Sequence, residues 1–207
     1  MTTNRRLVIA CAAAIAAPSL LLRAQAQAGA ALRATPRQTE GPFYPVDLPD
    51  DRDHDLLANG ARRYAKGQPV WFSGSVRNTR GEPLPGAAVE IWQCDQDGHY
   101  HHPGDGGRAD PSFQGFGQIV ADAQGRYRFR TLRPAPYSGR TPHIHLKVKQ
   151  AGRELLTTQV YVAGDPANER DGLWRRLSAA DREALTVAFA PGSDGALAAQ
   201  FPIVVNA

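Results

Sequence analysis

From Gln68 onward the chain runs in short stretches of alternating apolar and polar residues, each bounded by Gly, Pro, Asn or Asp. A period of two is the pattern of a half-buried strand. PVWFSGSV (Pro69 to Val76) alternates in this way, and AAVEIWQC (Ala87 to Cys94) follows the turn region NTRGEPLPG as a second strand. GQIVADAQGRYRFRTL (Gly117 to Leu132) is expected to form a hairpin across the turn at Asp122 to Gly125. HIHLKVKQ and ELLTTQVYV predict another hairpin, joined at Ala151–Gly152. Ser178 to Leu185 fits a short helix with Ser178 as its cap and Asp181 at the capping-box position. Pro202 to Val205 supplies a last strand. Many short strands and little helix predict an all-β fold, an antiparallel β-sandwich with long loops.

The N-terminal part has a different texture. MTTNRR is basic, LVIACAAAIAAPSLLL is apolar, and RAQAQA offers small residues suited to cleavage, so residues 1–28 are expected to be an export signal. Pro18 interrupts the apolar run, which argues against stable membrane insertion once the signal is removed. Arg5 and Arg6 directly before Leu7, Val8 and Ile9 resemble a twin-arginine signal, while Sec signals also begin with basic residues. The expected location is therefore exported, periplasmic or secreted. Residues 29–66 are rich in Pro and Asp without periodicity and are expected to wrap the domain as an ordered arm containing TEGPFYP, Thr39 to Pro45. Residues 67–207 form the sandwich, and a chain of 207 residues suits one such domain.

The formal charge of +4 belongs largely to the signal, because residues 1–28 hold three arginines and no acids. The remainder carries 21 basic against 20 acidic residues, with no dense basic face of the kind nucleic acid requires. Cys11 lies in the signal, so Cys94 stands alone, which excludes an intrachain disulfide and a C-x-x-C site in the mature chain. Cys94 is expected to be a small buried residue.

The candidate chemistry lies in two tyrosines and two histidines. His143 and His145 flank Ile144 on a strand, so their side chains share one face and start about 6–7 Å apart, close enough to converge on one ion. Imidazole alone suits zinc, copper, nickel or iron. Tyr137, just upstream in APYSGRTPHIH, and Tyr100, ending VEIWQCDQDGHY, narrow that choice. A phenol with a free pKa near ~10 ionises at neutral pH only beside a strong Lewis acid. Two phenolate donors favour a hard, highly charged ion, and ferric iron is the obvious biological one.

These segments resemble the intradiol ring-cleavage dioxygenases, and most of all a protocatechuate 3,4-dioxygenase subunit. The resemblance runs from about Asp53 to Asp165 through DHDLL, GEPLPGAAVEIWQCDQDGHYHH, DPSFQGFG, GRYRFRTLRPAPY, RTPHIH and TQVYVAGDP. The framework GxPLPGAxVEI with DxxGxYxFxxL also occurs in transthyretin-like sandwiches without metal; the ordered tyrosines and HIH make the match specific. The resemblance implies a transthyretin (prealbumin)-like fold and a non-haem Fe(III) cofactor. Its ligands would be Tyr100, Tyr137, His143 and His145, with Tyr137 and His145 axial and Tyr100 and His143 equatorial beside a hydroxide. It further implies that Arg140 faces the bound aromatic ring and that Gln159 lines the same pocket. The substrate would be a catechol-type small molecule, of the protocatechuate or catechol class, reacting with dioxygen to a cis,cis-muconate-type diacid. Tyr137, displaced by the incoming dianion, would accept a ring proton. The alternative reading is a transthyretin-like sandwich that binds a metal or an aromatic ligand without turnover.

The link from Tyr137 to His143 is shorter than in protocatechuate enzymes, which points to a more open pocket. The arm also lacks the helical periodicity of the N-terminal dimerisation region of catechol and hydroxyquinol enzymes. A homo-oligomer remains compatible with the sequence. His99, His101 and His102 are expected to form a polar loop at the mouth of the site, and His54 has no assigned role.

Overall fold

The computed structural model describes residues 31–207; the export signal expected over residues 1–28 lies outside them. Two short strands, β1 (Ala58–Asn59) and β2 (Arg62–Arg63), form a small hairpin ahead of two larger sheets. The long strand β3 (Pro69–Asn78) runs in the first sheet, and β4 (Ala88–Trp92) and β5 (Phe116–Val120) pair in the second. β6 (Arg126–Leu132) pairs with β3. β7 (His143–Gln150) and β8 (Arg153–Val162) form the expected hairpin, with a bulge between Val148 and Lys149. Helix α1 (Gly172–Arg175) and helix α2 (Ala179–Leu185) then lead into β9 (Thr186–Val187), β10 (Ala190–Pro191), β11 (Leu197–Gln200) and β12 (Ile203–Val205). Ser178 caps α2 as the sequence proposes, its hydroxyl accepting from the Asp181 amide at 3.1 Å.

The second sheet is ordered β5-β4-β7-β8-β9, and the first contains β10, β11, β3, β12 and β6. Their inner faces meet in one apolar core that includes Val70, Phe72, Phe129, Val89, Ile91, Ile144, Leu146, Val148 and Val160. Cys94 is buried as expected. Leu56, Leu57 and Tyr64 of the arm also enter the core.

Two expectations are corrected. Gly117 to Leu132 is not a hairpin: the turn forms, with Asp122 and Arg126 exchanging a 3.0 Å backbone bond, but β5 pairs with β4 while β6 pairs with β3. The connection is an arch between the sheets. Each flanking strand has an apolar face directed at the same core, and the free edges of β3 and β4 decide the pairing, which turn chemistry cannot. The sandwich is also not purely antiparallel, since β11 and β12 both run parallel to β3, and β9 parallel to β8. The joint between β11 and β12 passes over Gly74, where a Cβ would stand 2.0 Å from the Phe201 carbonyl oxygen.

The outer face of the second sheet positions the site. Alternation sends Glu90, Trp92, His143, His145, Lys147 and Gln159 outward, yet all are buried. The arm covers them.

Candidate metal centre

His143 and His145 project from one face of β7, and their Nε2 atoms lie 3.2 Å apart. The Nδ1 of His143 is 2.6 Å from the Thr141 carbonyl oxygen, so that nitrogen donates and Nε2 keeps its lone pair. The Nδ1 of His145 has no hydrogen-bond partner. Its ring is held instead by Trp92, its neighbour across the sheet, which stacks on it at 4.8 Å and 9°. Burial pushes the His143 pKa down to about 4, and the Arg140 charge adds to that. Burial, then the His143 and Arg140 charges, drive His145 well below the ordinary value. Both rings are neutral near pH 7, the state a metal ligand needs.

Tyr100 hangs from the loop after β4. Its amide donates to Asp105 at 2.8 Å, and the buried Asp95 carboxylate accepts from the amides of Asp97, His99 and Asp110 to fix the loop. Tyr137 and Arg140 are joined by a tight turn in which Ser138 and Gly139 both take positive φ, 41° and 76°, as a type I′ turn requires. The Tyr137 ring lies 4.9 Å from that of Tyr100 and 5.5 Å from that of His143. All four expected ligands therefore converge on one point from a loop, a turn and a strand. The buried Tyr100 hydroxyl has no partner. Burial raises both phenols, Tyr100 most, so neither would ionise at neutral pH without a nearby cation. Two convergent imidazole lone pairs and an orphaned buried phenol fit a hard metal ion.

Arg140 and Gln159 are brought to the same place. The Arg140 Nε donates to Asp171 at 2.7 Å and its Nη2 to the Gln159 side-chain oxygen at 2.6 Å. The guanidinium also faces the Tyr137 and Tyr161 hydroxyls, where its charge opposes the rise that burial imposes on both phenols. Gln159 sits across the sheet from His145 and donates to the Thr39 carbonyl at 2.9 Å. Asp171 is fully buried and also accepts from the amides of Thr141, Leu173 and Trp174. Burial would raise its carboxyl, but those amides and Arg140 outweigh it and hold the pKa below the usual carboxylate range. A shallow depression of about 410 Å³, lined by Pro136, Tyr137, Ser138, Gly139, Arg140, Ala167 and Arg170, opens beside this group.

The arm closes the other side. Gly41 passes His145 so closely that a Cβ would meet its Cε1 at 3.2 Å, and Phe43 stacks on Tyr100 at 4.6 Å and 20°. The remaining histidines stay apart from the centre. The His101 ring is bonded to the carbonyl of Phe113 and that of His102 accepts from the Gly104 amide, while His99 lies 3.4 Å from Asp105. His54 is exposed. Among the described residues no group of three His, Cys, Asp or Glu forms a second metal site.

The family model described as "Dioxygenase" matches residues 39–204. The hydroxyquinol 1,2-dioxygenase of Rhodococcus opacus is 36% identical over 155 residues, covering 66% of this chain and 49% of that one. The protocatechuate 3,4-dioxygenase beta chain of Burkholderia cepacia is 33% identical over 165 residues, 74% of this chain and 70% of its own. The chain belongs to the intradiol ring-cleavage dioxygenase family. Among solved structures, the dioxygenase domain of a dioxygenase carbohydrate-binding protein fusion from Streptomyces sp. SirexAA-E superposes with a TM-score of 0.66. That domain is 31% identical, and the match covers 84% of this chain and 99% of that one. Catechol 1,2-dioxygenase from Acinetobacter sp. ADP1 gives a TM-score of 0.67 at 30% identity, over 84% of this chain and 63% of that one. The chain spans about half the length of several curated relatives it matches.

Sequence reasoning missed Trp92, Asp171, Gly41 and Phe43. Trp92 had a signal: in VEIW it shares the outward face with Glu90, an unusual place for a large aromatic unless something covers it. Asp171 precedes Gly-Leu-Trp as a helix cap, which hid its second duty to Arg140.

Proposed function

We propose that this chain is a non-haem Fe(III) intradiol dioxygenase that inserts both atoms of dioxygen into a catechol-type aromatic to give a cis,cis-muconate-type diacid. The observation that carries this reading is the convergence of two buried tyrosines and two neutral histidines, with an anchored arginine beside them. Ferric iron held by Tyr100, Tyr137, His143 and His145 would supply the Lewis acidity that ionises the catechol and draws electron density from its ring.

The chain's own residues do the rest. Tyr137, at 9% exposure against 2% for Tyr100, is the ligand nearer the open depression. We assign it as the group that would take a catechol proton on its phenolate oxygen. Arg140, locked by Asp171 and Gln159 beside Tyr137, would stabilise negative charge developing on the ring. Gly41 and Phe43 pack on His145 and Tyr100 from the opposite side. The depression beside Tyr137 and Arg140 admits a single-ring catechol, and the family relatives suggest catechol, hydroxyquinol and protocatechuate as first substrates.

The test is direct. Purified protein loaded with iron should show the visible absorption of a ferric phenolate, consume dioxygen with a catechol and form a diacid. A coloured protein that binds catechol without oxygen uptake would support the binding-module alternative instead. We also propose export, which the basic-then-apolar start of the chain supports. Fractionation and N-terminal sequencing of the mature protein test it; a cytoplasmic protein with residues 1–28 intact would overturn it.

A further inference from the structure

Next to the ligands, on the same outer face of the second sheet, lies a set of buried charges that the proposed chemistry does not use. The Glu90 carboxylate is fully buried and accepts from the Tyr44 hydroxyl at 2.9 Å, the Gln118 side chain at 3.0 Å and Lys149 at 2.9 Å. Lys147, whose side chain is only 6% exposed, pairs with Glu40 of the arm and sits 3.7 Å above the Tyr44 ring. Tyr44 packs edge-on against Trp92 at 5.0 Å, and Trp92 carries His145. Between the two anchors, Glu40 and Tyr44, lie only Gly41, Pro42 and Phe43, the segment that touches His145 and Tyr100.

We propose that Lys147, Glu90 and Tyr44 are positioning residues that fasten the arm in one register over the metal centre. The physical argument starts from what such a network costs. Replacing a buried ion pair by well-packed apolar side chains is often neutral or stabilising. Stability is therefore a weak account of the Lys147–Glu40 and Lys149–Glu90 pairs. A polar network does supply uniqueness, because an apolar arm on an apolar face slides, whereas the Tyr44 hydroxyl meets Glu90 and Lys149, and Glu40 meets Lys147, in one alignment only. Here a slip of one residue would move Gly41, whose positive φ of 75° and close approach to the ring favour a residue without Cβ, off His145, and Phe43 off Tyr100. The partners of these anchors, Glu90 and Lys147, stand on β4 and β7, the strands that carry Trp92, His143 and His145, so arm and ligands share one frame.

This inference rests on the dioxygenase reading only for its kinetic consequence, and its main test does not need activity. Lys147→Met keeps the length of the side chain and removes the charge. In that variant, amide hydrogen exchange of residues 38–45 should accelerate about tenfold or more, the equivalent of losing one charged hydrogen bond. Exchange in Ile144 to Val148 and the melting temperature should hold or rise. Tyr44→Phe, which removes only the hydroxyl, should do the same to a smaller degree, and Lys147→Arg should restore wild-type exchange in the arm. In the iron-loaded enzyme KM for a catechol should rise about tenfold while kcat changes less, because the arm shapes the bound state. Unchanged arm exchange in Lys147→Met would overturn the proposal. So would a uniform rise across the sheet with a lower melting temperature, which marks a purely structural role. Arm exchange that responds as stated in a protein without turnover would sink the dioxygenase reading and leave the fastening intact.

Discussion

Arg140 shows how much of a residue's role is set by what holds it. Its guanidinium has one nitrogen fixed by a buried carboxylate and one by a buried amide oxygen. Arg140→Ala should leave iron content and colour intact, because the group is not a ligand, and should lower turnover about 100- to 1,000-fold. Asp171→Asn should keep the iron but release the guanidinium from its anchor, giving a smaller loss that grows with added salt. Steady-state kinetics on the best catechol, with iron assayed in parallel, check both; normal turnover in Arg140→Ala would remove the arginine from the mechanism. His143→Ala tests the other class of residue. It should lose most bound iron while keeping the sandwich, since Ile144, Leu146 and Val148 build the core from the opposite strand face. Retention of stoichiometric iron with a native circular dichroism spectrum would sink the ligand assignment. At this scale the sequence was legible where residue type and spacing carry the chemistry. HIH on a strand and a tyrosine beside it announce themselves. Asp171 did not, because its effect depends on a contact 31 residues away in the chain.

Among the elements, periodicity located most of the strands, and the β7–β8 hairpin follows from a two-residue link with positive φ at both Ala151 and Gly152. Periodicity does not say which strand a strand pairs with, and that is why the arch between β5 and β6 resembled a hairpin. The parallel pairings of β11 and β12 with β3 were equally hidden, since they join segments more than a hundred residues apart. One residue carries the consequence. Gly74 lies where the chain steps from β11 to β12, against the Phe201 carbonyl and the Tyr127 hydroxyl, which itself donates to that carbonyl at 2.5 Å. Gly74→Ala would force backbone or a buried phenol to move, at a cost of about 1–3 kcal/mol. The measure is the denaturant midpoint, and an unchanged midpoint would show that the joint is soft. No such penalty is expected at Gly172, where an added Cβ meets nothing within 4 Å and the backbone is not left-handed.

For the whole molecule, the burial of two histidines on a covered sheet face implies a particular response to acid. His143 and His145 are buried with pKa values held below the ordinary 6.5, that of His143 at about 4. Between those limits the unfolded chain binds protons that the folded chain refuses. By linkage, stability then falls as pH drops from about 6.5 toward 4, and the loss from His143 is complete below its folded value. Asp171 has its folded pKa depressed below 3.8, so its contribution is present above that value and is lost only at lower pH. The metal-free protein should therefore weaken in two stages, histidines first and carboxylate second. Replacing both histidines by Ala should abolish the dependence of the urea midpoint between pH 6.5 and 4 while leaving the lower stage. Iron should shift the balance in the same window, because protons and metal compete for the same nitrogens. If wild type and the double variant share one slope from pH 6.5 to 4, the histidines are not the groups that tie the stability of this fold to acid.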